Sequence, residues 1–238
     1  MALTPQSNEA FLREVDDELR RDQALHIWRH YWRWIIAAIV LVLVAFGGFL
    51  YWQHRNEEMA GREGEQLQKA YDDLQAGDTK GASAPLAQLA QSKRDGYRAL
   101  AIFTQADLLL QKNDLKGAAA KFASVANDGS LAQPFRDLAL IRQTNAEFDT
   151  LKPEVVVERM RPLAVAGNPW LGSAGELTAI AYLRQGRRDL AGQMLSRIAA
   201  DSDVPATLRQ RAVQMAGSMG VAPAGNIVPS ANKELTKQ

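Results

Sequence analysis

Three histidines, the two pairs of adjacent carboxylates beyond the long apolar run and one aromatic-basic cluster are the residues of this 238-residue chain whose types and spacing suggest chemistry. His26 and His30 stand four apart, one helical turn, a spacing that lets two imidazoles share a metal ion. No Asp, Glu or Cys is placed to complete a ligand shell on the same side, so interfacial histidines are expected here, His54 included. Asp72-Asp73 and Glu57-Glu58 are neighbours in sequence, and neighbours on a helix point to different faces, so neither pair is arranged for general acid–base work. The chain has no cysteine, which excludes disulfides, thiolate nucleophiles and cysteine-based zinc sites. No histidine occurs after residue 54, and there is no glycine-rich phosphate loop. A noncatalytic protein without metal or cofactor is the expectation.

The aromatic-basic cluster, "HIWRHYWRWII" from His26 to Ile36, takes its meaning from the apolar run that it opens. From Trp34 to Gln53 there are twenty consecutive uncharged residues. As a helix they span roughly 30 Å, one bilayer core. A cleaved signal peptide fits poorly, because 33 residues precede the run and no A-x-A-like site comes after it. A soluble core helix fits poorly too, since it rarely needs to be apolar on every face. Tryptophan and tyrosine collect at membrane interfaces because each joins an apolar body to a polar N–H or O–H, and arginine snorkels toward headgroups. Trp28, Tyr31, Trp32, Arg33 and Trp34 therefore form the interfacial belt at one end of the span, and Tyr51 and Trp52 that at the other. Aromatics interleaved with basic residues also stack on single-stranded nucleic acid. A formal net charge of +1 gives no field for that partner, and nucleic acid is set aside in favour of the bilayer.

Lysine and arginine near the span set its orientation. Arg20, Arg21, Arg29 and Arg33 precede it, and Arg55, Arg62 and Lys69 come after it, a one-residue bias toward a cytoplasmic N-terminus. Upstream, Thr4-Pro5 opens a short amphipathic helix with Phe11, Leu12, Val15 and Leu19 on one side. Downstream, "HRNEEMAGREGEQ" is polar all round and reads as a helical stalk.

Beyond the stalk the chain repeats itself. Ala82, Leu86, Leu89, Ala90 is echoed by Ala118, Phe122, Val125, Ala126, by Val156, Met160, Leu163, Ala164, and by Ala191, Leu195, Ile198, Ala199. A period of about 35 residues predicts a solenoid of helix pairs, with each set on a second helix. The preceding first helices carry Ala70, Ala106 and Ala179 for close packing, and Gly77, Asn113 and Gly186 at the left-handed positions that end a helix. The third copy has Thr144 and Leu151 in those places. Pro85 and Pro162 fall inside the pattern and predict kinked or shortened helices. The fold class expected is thus all-α, a single transmembrane helix followed by a tetratricopeptide-repeat-like helical solenoid. Its domains are 1–33, a cytoplasmic helix and interfacial belt; 34–53, the span; 54–66, the stalk; 67–219, the repeats; and 220–238, a tail without periodicity, expected to be disordered. First helices line the inner face of such an array and make a groove for a peptide or partner helix. Tyr71, Phe103, Asp107, Ile180 and Arg184 are the residues expected to face it.

"YRALAIFTQADLLLQKNDLKGAAAKFASVA" and "GELTAIAYLRQGRRDLAGQMLSRIAA" resemble tetratricopeptide repeats. The whole arrangement, from about residue 9 to 217, resembles the YfgM-like family of ancillary SecYEG translocon subunits. The front, "FLREVDDELRRDQALHIWRHYWRW", is similar to the cytoplasmic segment of alphaproteobacterial members. The resemblance implies a single-pass bacterial inner-membrane protein with a periplasmic repeat domain. Its implied partners are the SecYEG translocon, periplasmic chaperones or exported chains. Self-association, with Gly47-Gly48 and the stalk building a homo-oligomer, is the alternative use of the same parts.

Overall fold

The computed structural model describes the backbone of residues 5–220 and the side chains from Trp32 onward. The side chains of His26, Trp28, His30 and Tyr31, the apolar face of the N-terminal helix and residues 221–238 of the tail lie outside the described residues. Every regular element among the described residues is helical, and the chain divides into two units, Met1–Arg62 and Glu63–Gln238.

Helix α1, Pro5–Gln75, begins at a proline, whose fixed φ and missing N–H suit the first helical position. All of its residues from Trp32 to Arg55 are exposed, including the uncharged run. Leu41 is 70% and Val44 69% exposed. In water such a surface would cost about 25 cal/mol for each Å², so an apolar solvent is its natural surrounding. It is the one helix among the described residues that is long and apolar enough to cross a membrane. That is compatible with a single-pass anchor.

In the second unit the last turns of α1 pair with α2 (Thr79–Leu89), α3 (Asp95–Gln111) with α4 (Leu115–Ala126), α5 (Gln133–Ala146) with α6 (Pro153–Met160), and α7 (Leu171–Arg184) with α8 (Arg188–Ala200). Helix α9 (Ala206–Ser218) closes the row. Three of the four hairpin turns share one construction. Gly77, Asn113 and Gly186 have φ of 82°, 58° and 74°. The amide of each donates three residues back, and the next amide donates five residues back: Asp78 to Asp73 O at 2.7 Å, Asp114 to Leu109 O at 2.8 Å, Arg187 to Tyr182 O at 2.9 Å. This pair of bonds satisfies carbonyls that the end of a helix leaves open. Asp78 and Asp114 then cap the following helix, accepting from the Gly81 and Gly117 amides, each at 2.8 Å.

The repeat pattern is the core. Leu86, Phe122, Met160 and Leu195 are fully buried, as are the small residues Ala70, Ala106 and Ala179 where neighbouring helices approach. In the third hairpin Thr144 replaces that alanine, also fully buried, and its hydroxyl donates to Leu140 O at 2.8 Å. A hydroxyl bonded within its own helix is tolerated where an unpaired one would cost about 1–3 kcal/mol. Pro162 has no N–H to continue α6, which stops at Met160, eight residues long. Leu163 and Ala164 stay buried because their amides turn back to Met160 O at 2.9 and 2.8 Å. Pro85 has a different outcome: α2 continues through it to Leu89.

First helices touch first helices, α3 with α5, α5 with α7 and α7 with α9, whereas the second helices α2, α4, α6 and α8 do not touch one another. A row closed on one side and splayed on the other curves toward the closed side. The first helices therefore form its inner face.

Candidate protein-interaction surface

Among the described residues no group of three His, Cys, Asp or Glu side chains lies close enough to hold a metal ion. Glu57 and Glu58 diverge as expected of helical neighbours, Glu57 accepting from Gln53 Nε2 at 3.0 Å and Glu58 lying 3.3 Å from His54 Nε2. What the inner face offers is a hollow.

It has a volume of about 290 Å³ and is lined from four first helices in succession. Leu110 comes from α3, Ile141, Arg142 and Asn145 from α5, Glu176, Leu177 and Ile180 from α7, and Arg211 from α9. Its charges are already paired. Arg142 donates from both terminal nitrogens to Asp107, one bond at 3.2 Å, and its guanidinium sits 4.7 Å from the centroid of the Phe122 ring. Arg211 pairs with Glu176 through Nη2 and Oε2. The first pair joins α3 to α5 and the second joins α7 to α9, and in each the partners are 35 residues apart, about one repeat. These links brace the inner face and leave it with no net charge from the four groups. The remaining lining is apolar except for small polar groups, an arrangement suited to taking an aliphatic side chain while backbone groups bond to the rim.

The five residues expected from the sequence fall in different places. Ile180 is half-buried and lines the hollow. Asp107 is outside the lining and pairs with Arg142, which is part of it. Phe103 is only 6% exposed, its ring centroid 6.0 Å from that of Phe122, so its ring packs between helices as a core group. Arg184 donates from Nη1 to Phe148 O at 2.6 Å with its guanidinium 5.3 Å from that ring, bracing α7 against the turn after α5. Tyr71, on α1, is 38% exposed and lies outside the hollow.

Arg142, Asn145, Glu176 and Arg211 lie outside the set expected from the sequence. A signal for them exists. Asn145 precedes Val156 by the same eleven positions that separate Asp107 from Ala118 and Ile180 from Ala191. Thr144 in place of alanine and Leu151 in place of glycine obscure that register. An acid succeeded 35 residues later by arginine marks both braces.

On α1 the interfacial side chains that are described, Trp32, Arg33, Trp34, Tyr51 and Trp52, are all exposed, Trp34 and Trp52 by 75% and 63%.

No curated protein and no solved structure matches the chain. A family model described as a tetratricopeptide repeat-like domain matches residues 26–215, most of the chain's length. Such repeat domains are typically noncatalytic modules that bind other proteins, and this chain belongs to the tetratricopeptide repeat-like domain family.

Proposed function

We propose that this protein is a noncatalytic, membrane-tethered scaffold whose inner face receives a segment of a partner protein. The hollow between α3, α5, α7 and α9 carries this reading: it is the place where one row of helices presents apolar side chains with its charges already neutralised. The tether is residues 34–53, with Trp28, Tyr31, Trp32, Arg33 and Trp34 at one interface and Tyr51 and Trp52 at the other, and residues 54–66 as the stalk. Of the residues expected to face the groove, Ile180 is the direct contact we assign, with Asp107 acting through Arg142.

The cellular setting rests on the resemblance to YfgM-like translocon subunits and the arginine bias around the span. It is the bacterial inner membrane, with the N-terminus cytoplasmic and the repeats periplasmic. The partners are the SecYEG translocon and periplasmic chaperones or chains in export. Two measurements test this. Fusions at residue 220 to reporters active on one side of the membrane only should light up outside the cytoplasm. A photoreactive residue at position 180 should crosslink to translocon or chaperone subunits, and crosslinks from Tyr71 should be fewer. A cytoplasmic signal removes the export role; equal crosslinking from both positions removes the hollow as the binding surface.

A further inference from the structure

We propose that the protein carries a second binding site, a basic cleft between α2 and α4 that takes an acidic, leucine-containing segment of a partner protein. It shares no residue with the hollow and stands independently of it.

The cleft arises where the first two hairpins meet. Helices α2 and α4 each pack on α3 and do not touch one another, which leaves a space of about 330 Å³ between them. Its floor is the junction itself: Leu108 packs with Leu67, Ala70 and Leu86 of the first hairpin, and Leu109 with Ala118 and Phe122 of the second. Along α2 the wall is Thr79, Ser83 and Ala87, one helical turn apart. These small side chains keep the wall low and let another main chain come close. Eight residues of helix run for about 12 Å, the length of three or four extended residues. A compact headgroup or a free anion fills only part of such a trough.

Charge sets the ligand. Lys112 from the end of α3 and Lys121 from α4 both line the cleft, and no carboxylate does. Lys121 Nζ donates to Gln105 Oε1 at 2.8 Å, a neutral acceptor that takes one of its three hydrogens. No ion pair among the described residues includes either lysine. The acids of these helices and their caps are engaged elsewhere, Asp107 with Arg142, Asp95 with Arg98, and Asp78 and Asp114 with the amides that open α2 and α4. The imbalance extends beyond the cleft. Residues 79–126, which build it, include seven basic and three acidic residues, in a chain whose formal net charge is +1.

The hollow differs in kind, since each of its arginines already has a carboxylate. An uncharged segment laid over the cleft would strip water from two ammonium groups and return nothing, whereas a carboxylate replaces that water with charge-assisted hydrogen bonds. An aliphatic neighbour of the carboxylate then covers Leu108 and Leu109, and the Ser83 hydroxyl and the Gln105 amide nitrogen serve its backbone.

The test is fluorescence anisotropy with the full chain in a neutral maltoside detergent. The probe is an end-blocked, rhodamine-labelled octapeptide, Gly-Ser-Leu-Glu-Glu-Leu-Ser-Gly, compared with versions carrying Gln-Gln or Lys-Lys in place of Glu-Glu. The acidic peptide should bind at least about tenfold more tightly than the other two. Lys112→Ala and Lys121→Ala should each weaken it about three- to fivefold, the upper range for exposed ion pairs. Raising the sodium chloride concentration should weaken the acidic peptide and leave the Gln-Gln peptide unchanged. Lys112→Glu with Lys121→Glu should reverse the order and favour the Lys-Lys peptide, an outcome that disturbed packing does not produce. Ile180→Ala, in the hollow, should leave the affinity for the acidic peptide as it was. Equal binding of the three peptides, no binding of the acidic one, or an unchanged order in the double glutamate variant overturns the proposal. A loss in Ile180→Ala as large as in the lysine variants places the peptide in the hollow and removes the cleft. Displacement of the acidic peptide by short-chain phosphatidylglycerol at lower concentration than by unlabelled peptide assigns the two lysines to lipid headgroups, and the proposal falls.

Discussion

Replacing Phe122 by alanine should destabilise the repeat domain by about 3–5 kcal/mol, the range for removing a fully buried aromatic ring and leaving a partly collapsed cavity. Phe122 is 0% exposed. Its ring has Phe103 at 6.0 Å on one side and the Arg142 guanidinium at 4.7 Å on another, and it packs among the buried residues of α3, α4 and α5. Within that total the tilted aromatic pair accounts for about 0.5–1.5 kcal/mol and the contact with half-exposed Arg142 for about 0.5–1 kcal/mol. The rest is transfer and cavity. Phe122→Leu keeps most of the aliphatic volume and loses only the ring contacts, so it should cost about 1–2 kcal/mol. The assay is urea unfolding of the full chain in detergent, monitored by far-ultraviolet circular dichroism, with the same slope required for all variants. Leu115→Ala, 45% exposed at the start of the same helix, is the control and should stay within about 0.5 kcal/mol. In a domain of this size 3–5 kcal/mol lowers Tm by about 10 °C. A loss below about 1 kcal/mol, or equal losses for Phe122→Ala and Leu115→Ala, would refute the assignment of the second-helix pattern to the core.

Other perturbations read other parts of the molecule. Gly186→Ala places a Cβ at φ 74°, where L-residues pay about 1–2 kcal/mol, and should lower stability in the same unfolding assay, whereas Asn113→Gly at φ 58° should be neutral or slightly stabilising. The Asp128 carboxylate accepts from the Ser130 hydroxyl and amide at 2.6 and 3.0 Å and faces Arg98, and these hold its pKa below the usual 3.8. A depressed carboxylate stabilises fully above its unfolded pKa and loses that contribution as pH falls through the folded value. Asp128→Asn should therefore be less stable than the parent at neutral pH, and the difference should close as pH falls below the usual 3.8 and through the lowered folded pKa, in melts across the acid range. Leu41→Arg with Val44→Arg puts two guanidiniums in the apolar run at about 2.5–3.5 kcal/mol each. Carbonate extraction should then find the chain in the soluble fraction; full retention in the membrane pellet would count against residues 34–53 as the anchor.

Periodicity in the sequence identified the elements, because burial in a row of helix pairs is a local matter. Leu86, Phe122, Met160 and Leu195 lie at the same place in successive second helices, and each is sealed by its own hairpin and the next. The turns were legible for the same reason. Gly77, Asn113 and Gly186 satisfy a backbone requirement fixed within six residues, so their identity alone announces it. The third hairpin was harder to read, since its alanine and glycine are replaced by Thr144 and Leu151. Thr144 works there only because its hydroxyl finds Leu140 O.

The inner face was less legible. Position within a repeat says which way a side chain leaves its helix, and on that basis Phe103 and Ile180 were equivalent candidates. The neighbours differ. Phe103 is covered by its contact with Phe122, while Ile180 remains half-buried beside the opening between α5, α7 and α9. Arg184 is drawn to Phe148 O, a partner 36 residues away, and does not line the hollow. By itself, then, the sequence determined the all-helical class, the apolar run, the repeat register and the turns, each set by interactions between residues close along the chain. Tertiary structure alone decided which first-helix residues meet at the hollow and that Asp107 with Arg142 and Glu176 with Arg211 neutralise it. Those outcomes depend on how far each helix shifts against the next, a distance that no single repeat encodes.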